Sequence, residues 1–198
     1  MVHKHLIVSL ALGISLAANS ALQARGLPVP AAPPLRLAQL AETYDTYIED
    51  STFSIDYPSG WRIERVGDQY LRLMNYDPIA LAAALSDKIK TEVWLIDESP
   101  AVVVERELDE LQAEEAQVNR YRVVTVDQQS GIRIWLGGLV YDFPNAIKTF
   151  VGYGDRQTVM IVSYYVSPDE VDEAAAIEQE AAILRIHDSF KRLAAGGE

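Results

Sequence analysis

The chain has 198 residues, 49% of them hydrophobic and 23% charged, a balance that suits one packed domain plus a processing segment and excludes global disorder. Its 29 acidic and 17 basic side chains give a net charge of −12, a field that repels nucleic acid and anionic membrane surfaces. The absence of cysteine excludes disulfides, thiol catalysis, Cys-based zinc or iron–sulfur sites and a lipid anchor on a lipobox cysteine.

Residues 1–24 read as a secretory signal peptide. His3, Lys4 and His5 make a weakly basic start, and Leu6 to Ala18 is an apolar run too short to span a bilayer comfortably. Small residues at Ala18 and Ser20 favour cleavage before Ala21; cleavage after Ala24 and an uncleaved membrane anchor are the alternatives. Residues 25–43 form a linker, in which Pro28, Pro30, Pro33 and Pro34 favour an extended, polyproline-like tether. A single domain is expected over residues 44–195.

That domain reads as a series of strands with helices laid on them. Tyr44 to Ile48 suits a short edge strand. Phe53–Tyr57 and Trp61–Val66 alternate apolar and polar residues about Pro58-Ser59-Gly60, so a hairpin is expected, with Pro58 at the second turn position. Tyr70–Met74 is the next strand, and Ile79 to Leu85 is expected to make one or two helical turns after Pro78. Ile89–Ile96 turns apolar on both faces toward Trp94, as a central strand would. Ser99 and Pro100 start a helix whose Val104, Leu108 and Leu111 are expected to face inward; its end is expected near Val118-Asn119. Four strands follow as a meander: Tyr121–Val126, Ile132–Tyr141, Ala146–Tyr153 and Thr158–Val166. Ser167-Pro168-Asp169-Glu170 has the form of a capping box, and a helix is expected from there to about Leu193, stopped by Gly196.

The chemistry is sparse. Without residues 1–24 the only histidine is His187, so histidine-rich metal sites are excluded in one chain and any Ser-His-Asp triad would need that residue. Its position late in a helix suits a helix-flank imidazole near the C-terminal end, favourable to the dipole. The chain has no P-loop, no GxSxG and no dinucleotide fingerprint. Asp97-Glu98 at a strand end is the best acid/base or binding pair, although the same two charges suit a helix N-terminus. Trp61, Trp94 and Trp135 suit either a ligand cleft or sheet core, and Trp135 is the tryptophan singled out for binding. The acidic helix face from Glu105 to Glu115 allows weak calcium binding but lacks the loop of an EF-hand; no other cofactor is expected.

Thr52-Phe53-Ser54-Ile55-Asp56-Tyr57-Pro58-Ser59-Gly60-Trp61 resembles the opening motif of PsbP-like proteins, and Ala182 to Lys191, with its Ser189-Phe190-Lys191, resembles their end. The resemblance spans about residues 44–193. It implies an α+β fold, an α-β-α sandwich on a mainly antiparallel sheet of about seven to eight strands. It also implies an exported, non-catalytic accessory or assembly protein in the periplasm or thylakoid lumen. The expected partner is another protein, such as photosystem II or another membrane complex on its lumenal face, and not nucleic acid. The rival expectations are a periplasmic module that binds a small molecule or metal on the aromatic sheet face, and a hydrolase or metalloenzyme using Asp97, Glu98 or His187.

Overall fold

The computed structural model describes residues 43–80, 87–139, 142–167 and 173–193. Among them, the period-2 stretches form two antiparallel sheets. The smaller holds β1 (Tyr44–Glu49), β2 (Phe53–Pro58) and the short β10 (Lys191–Arg192) in the order β1-β2-β10. The larger holds seven strands in the order β3-β4-β5-β9-β8-β7-β6. These are β3 (Arg62–Val66), β4 (Tyr70–Met74), β5 (Ile89–Ile96), β6 (Gln117–Val126), β7 (Gln129–Gly137), β8 (Asn145–Tyr153) and β9 (Gln157–Tyr165). Helix α1 (Pro100–Ala113) lies on one face of this sheet and α2 (Glu173–Ser189) on the other. The layers are therefore α-β-α, as expected.

The expected hairpin about Pro58 does not form. β2 pairs with β1 on one edge and β10 on the other, so no edge is left for β3, which pairs with β4 in the larger sheet. The turn is a hinge between sheets. Trp61 N–H donates to the Pro58 carbonyl at 3.2 Å, which puts Pro58 first in the turn, and Gly60 occupies the third position at φ +88°, as a type II turn requires.

β4 and β5 match their expected bounds. The meander is present with shifted ends: β6 starts at Gln117, not Tyr121, because α1 stops at Ala113 and Glu115 takes the left-handed conformation at φ +56°. The β6–β7 link is a two-residue turn, Asp127-Gln128, with both residues at positive φ, which fits the right-handed strand twist. After Pro78 the chain makes a short 3₁₀ turn, Pro78–Ala80, and the rest of that expected helix lies outside the described residues. So do the signal peptide, the linker up to residue 42, most of the capping box and Gly196. α2 ends at Ser189, and the chain then pairs with β2 instead of continuing as helix to Leu193.

Ser99 caps α1, its hydroxyl accepting from Val102 N–H, and Pro100 supplies the first turn. Pro100 sits on β8 at Gly152, where any Cβ would meet its ring at 2.6 Å. From there α1 runs along β8, with Val103, Glu107 and Leu111 buried against the sheet. This corrects the expected phase: Val104 is only half-buried and Leu108 is 45% exposed. Glu107 takes the inward place because Lys148 of β8 meets it with an ion pair at 2.5 Å. The apolar core under α1 includes Val103, Leu111, Phe150, Met160 and Val162. Under α2 it includes Leu71, Val93, Val151, Ile161 and Ile186, and it joins the small sheet where Phe53 stacks on Phe190 at 5.4 Å.

Candidate functional site

A polar chain runs through the α2 side of the larger sheet. Thr91, Thr149 and Ser163 sit on β5, β8 and β9 where apolar residues would otherwise face α2, and all three are fully buried. His187 of α2 enters between them. Its Nδ1 lies 2.8 Å from Thr149 Oγ1 and its Nε2 lies 2.9 Å from Ser163 Oγ, which is 2.6 Å from Thr91 Oγ1. Arg133 Nε donates to Thr149 at 2.8 Å, and Arg133 Nη2 donates to Asp188 at 2.6 Å. Burial, then the charge of Arg133, holds the imidazole pKa well below its ordinary value of 6.5, so the ring is neutral. The expected helix-flank histidine is therefore a core residue. The stripe Ile183, Ile186 and Phe190 leaves room for one polar residue, and the hydroxyls of Thr149 and Ser163 satisfy both of its ring nitrogens. The pair Ser163–His187 has nucleophile–base spacing, but both residues are fully buried, so no substrate reaches the hydroxyl.

The opposite face is open to ligands. The seven strands span about 30 Å, and one helix covers about 10 Å of that. On the β4–β5 side of α1 this leaves a cleft of about 460 Å³. Its floor carries Arg72, Lys90 and Lys148, and its walls carry Tyr76, Phe143 and Tyr164. Each floor cation has a carboxylate: Lys148 has Glu107, Lys90 has Glu92 at 3.4 Å, and Arg72 has Glu64 at 3.3 Å and Glu92 at 3.4 Å. The Lys90 ammonium also lies 4.4 Å from the Tyr164 ring centre. Burial, then Glu92, Glu107 and Glu114, pushes the Tyr164 phenol pKa up.

On the other side of α1 the surface is apolar. Val104 and Leu108 occupy the helix flank turned away from β4–β5. Val118, Tyr121 and Val123 stand on the same sheet face of β6, opposite Leu136, Ile134 and Ile132 of β7. Tyr121 is 71% and Val123 is 74% exposed. β6 is an outer strand of its sheet, so one row of its backbone N–H and C=O groups has no ladder partner among the described residues.

The residues singled out from sequence do not converge. Asp97 accepts a hydrogen bond from Gln157 Nε2 at 3.1 Å, and Glu98 pairs with Arg106 of α1 while its carbonyl accepts from Thr158. Both lie beyond the end of β5. Trp135 lies on the α2 face in register with Ile147, which is itself opposite Ser163, six residues of sheet away from Asp97, or about 20 Å. Trp135 is buried, with Arg120 over its ring at 4.1 Å, and its Nε1 has no hydrogen-bond partner among the described residues. Trp94 faces α1 and stacks on Tyr70, so the tryptophans form no common wall. Sequence reasoning missed Lys90, Lys148 and Glu107; charged residues at buried positions of otherwise apolar strands and helix faces were the available signal.

Cyanobacterial PsbP from Synechocystis sp. PCC 6803, a solution structure, superposes over 83% of this chain and 99% of its own at 12% identity, with a TM-score of 0.46. A Pseudomonas aeruginosa protein of unknown function superposes over 70% of this chain and 94% of its own, at 11% identity and a TM-score of 0.39. A Bacteroides thetaiotaomicron VPI-5482 protein is similar over 77% of this chain and 50% of its own, at 10% identity and a TM-score of 0.39. No protein-family model and no curated protein matches the chain. Among the described residues, no helix is long and apolar enough to cross a membrane.

Proposed function

We propose that the chain is an exported accessory protein that acts by binding another protein, and that β6 with the adjoining flank of α1 is the surface it uses. The observation that carries this reading is the exposed apolar row Val118, Tyr121 and Val123 on an outer strand. Monomeric proteins usually protect such edges with charge, a bulge or a covering segment. Here the bulge between Val118 and Arg120 leaves the Tyr121–Val126 half regular. Val104 and Leu108 wall the other side of the strip. An extended segment of a partner that adds to β6 gains ladder hydrogen bonds and buries alternate side chains beside Val118, Tyr121 and Val123. Among the described residues Arg122 of this edge has no ion-pair partner; it is exposed and on the α2 side of the strand, so the fitting segment alternates apolar and acidic residues. A second copy of β6 fits worse, because its Arg122 would oppose like charge.

Export is supported by the basic start, apolar run and small residues of residues 1–24. The partner class suggested by the PsbP-like motifs is a membrane complex facing the periplasm or lumen, photosystem II where the host is photosynthetic. Affinity purification of the tagged mature chain, beside a Tyr121→Glu/Val123→Glu variant of equal melting temperature, tests this. The wild type is expected to recover one defined complex and the variant to lose it. Equal recovery by both, or no stable partner for either under mild conditions, overturns the reading. Fractionation of the host tests export; a full-length chain retained in the cytoplasm contradicts it.

A further inference from the structure

We propose that the cleft on the β4–β5 side of α1 binds a small organic cation carrying primary-amine or guanidinium groups. This site lies on the opposite flank of α1 from the proposed protein-binding surface and does not depend on it. Its volume of about 460 Å³ lies within the usual range for small-ligand sites. The sign of the ligand follows from which charges are already matched. The floor is neutral overall: Arg72, Lys90 and Lys148 are set against Glu64, Glu92 and Glu107. An anion would have to take Lys148 from Glu107, a pair whose side chains are each about nine-tenths buried. The rim adds Glu110 and Asp142, both exposed and without an ion-pair partner among the described residues. The unmatched charge of the cleft is therefore negative.

The walls agree with that sign. The rings of Tyr76 and Phe143 lie 6.1 Å apart and tilted, so together they make a bent aromatic surface. Aromatic faces attract ammonium and guanidinium groups. The protein's own cations show the preference here: Lys90 lies 5.8 Å from the Phe143 ring centre and Lys88 lies 5.7 Å from that of Tyr76. The Tyr76 phenol pKa is raised, first by burial, with Arg72 opposing and Glu92 and Asp142 reinforcing, so Asp142 and the ring share one space. A ligand with two or more amines spaced along an aliphatic chain reaches both rim carboxylates while its methylenes cover the rings.

Titration calorimetry on the purified chain tests this with spermidine and arginine amide as cations and citrate as anion. Spermidine is expected to bind at one site. A Glu110→Gln/Asp142→Asn variant is expected to weaken it at least tenfold, about the effect of losing one well-placed charge contact. A Glu105→Gln/Asp109→Asn variant removes as much charge from the outer surface of α1 and is expected to leave affinity unchanged. Circular dichroism melting of both variants confirms folding, since all four residues are exposed. Equal weakening in both variants, preference for citrate, or no amine binding at millimolar concentration overturns the proposal. Because no partner protein is present, those outcomes leave the reading of β6 untouched.

Discussion

His187 Nε2 lies 2.9 Å from Ser163 Oγ with neither side chain reached by solvent, and that contact ties α2 to the centre of the sheet. Arg133 can only donate, so Thr149 Oγ1 accepts from it, and its own hydrogen is then free for His187 Nδ1. The neutral ring donates through one nitrogen and accepts through the other, each toward a hydroxyl, and Ser163 carries the chain on to Thr91. The chain thus crosses from β7 through β8 and α2 to β9 and β5, and orders the sheet and helix relative to each other.

The protonation state of His187 makes stability depend on pH. The folded pKa lies below the unfolded value of 6.5, so the unfolded state binds the extra proton as pH falls. This stabilisation is fully present above the unfolded pKa and is lost as pH falls through it toward the folded pKa. Among the described residues the ring bonds Thr149 and Ser163, and its charged neighbours are the Arg133–Asp188 pair. A His187→Gln variant keeps a polar side chain that does not titrate, and it is expected to lose about 1–3 kcal/mol at neutral pH. Urea unfolding at about pH 7.5 and about pH 5 should show a steeper loss in the wild type than in the variant. Parallel losses would mean that carboxylates alone set the acid sensitivity.

The Glu107–Lys148 pair makes a prediction of opposite sign for single and double changes. Both side chains are about nine-tenths buried under α1. Glu107→Ala strands the Lys148 ammonium and is expected to cost about 3–5 kcal/mol in chemical denaturation. Glu107→Leu with Lys148→Met removes both charges and fills the space with apolar side chains. That double variant is expected to lie within about 1 kcal/mol of the wild type or above it.

The same pair explains where the sequence was legible and where it was not. β4 and β5 alternate cleanly between turn residues, so their bounds, and the double-sided burial of β5, followed from periodicity alone. The phase of α1 did not. Val103, Val104, Leu108 and Leu111 allow two apolar stripes, and the choice rests on Lys148, which is 41 residues from Glu107 and has no local signature. The Pro58-Ser59-Gly60 turn was read correctly as a turn and wrongly as a hairpin, because its chemistry does not say whether the flanking strands pair. His187 had a fainter signal: Thr91, Thr149 and Ser163 are small hydroxyl residues on otherwise apolar strand faces. The cleft had only the buried charges of Lys90 and Lys148 as a signal, and nothing local joined them, since its residues come from β4, β5, β8, β9, α1 and two loops.

Leu108 and Leu111 form a natural contrast on one helix. Leu111 is 4% exposed and Leu108 is 45% exposed. Leu111→Ala is expected to cost about 2–5 kcal/mol by opening a cavity beneath α1. Leu108→Ala is expected to stay within about 0.5 kcal/mol, as an exposed side chain does. Thermal melting of both variants checks the helix phase directly. Similar losses at the two positions would restore the inward Leu108 that the sequence pattern suggested, and would close the apolar strip beside β6.

Gln128 offers a gain. It holds φ +62° beside Asp127 at +49°, both in the left-handed region that costs a side-chain-bearing residue about 1 kcal/mol. Asp127 cannot be spared, because its Oδ2 accepts from Tyr153 Oη at 3.0 Å and from Arg192 N–H at 2.8 Å, binding the turn to β8 and β10. Gln128 is exposed and has no such role among the described residues. Gln128→Gly creates the Asp-Gly pair that two-residue hairpin turns favour, and it is expected to stabilise the domain by up to about 1 kcal/mol. Asp127→Ala is expected to destabilise it by about 1–3 kcal/mol through the two abandoned donors. Denaturant midpoints of the two variants should therefore move in opposite directions; a downward shift for Gln128→Gly would show that the greater freedom of glycine in the unfolded chain outweighs the relieved strain.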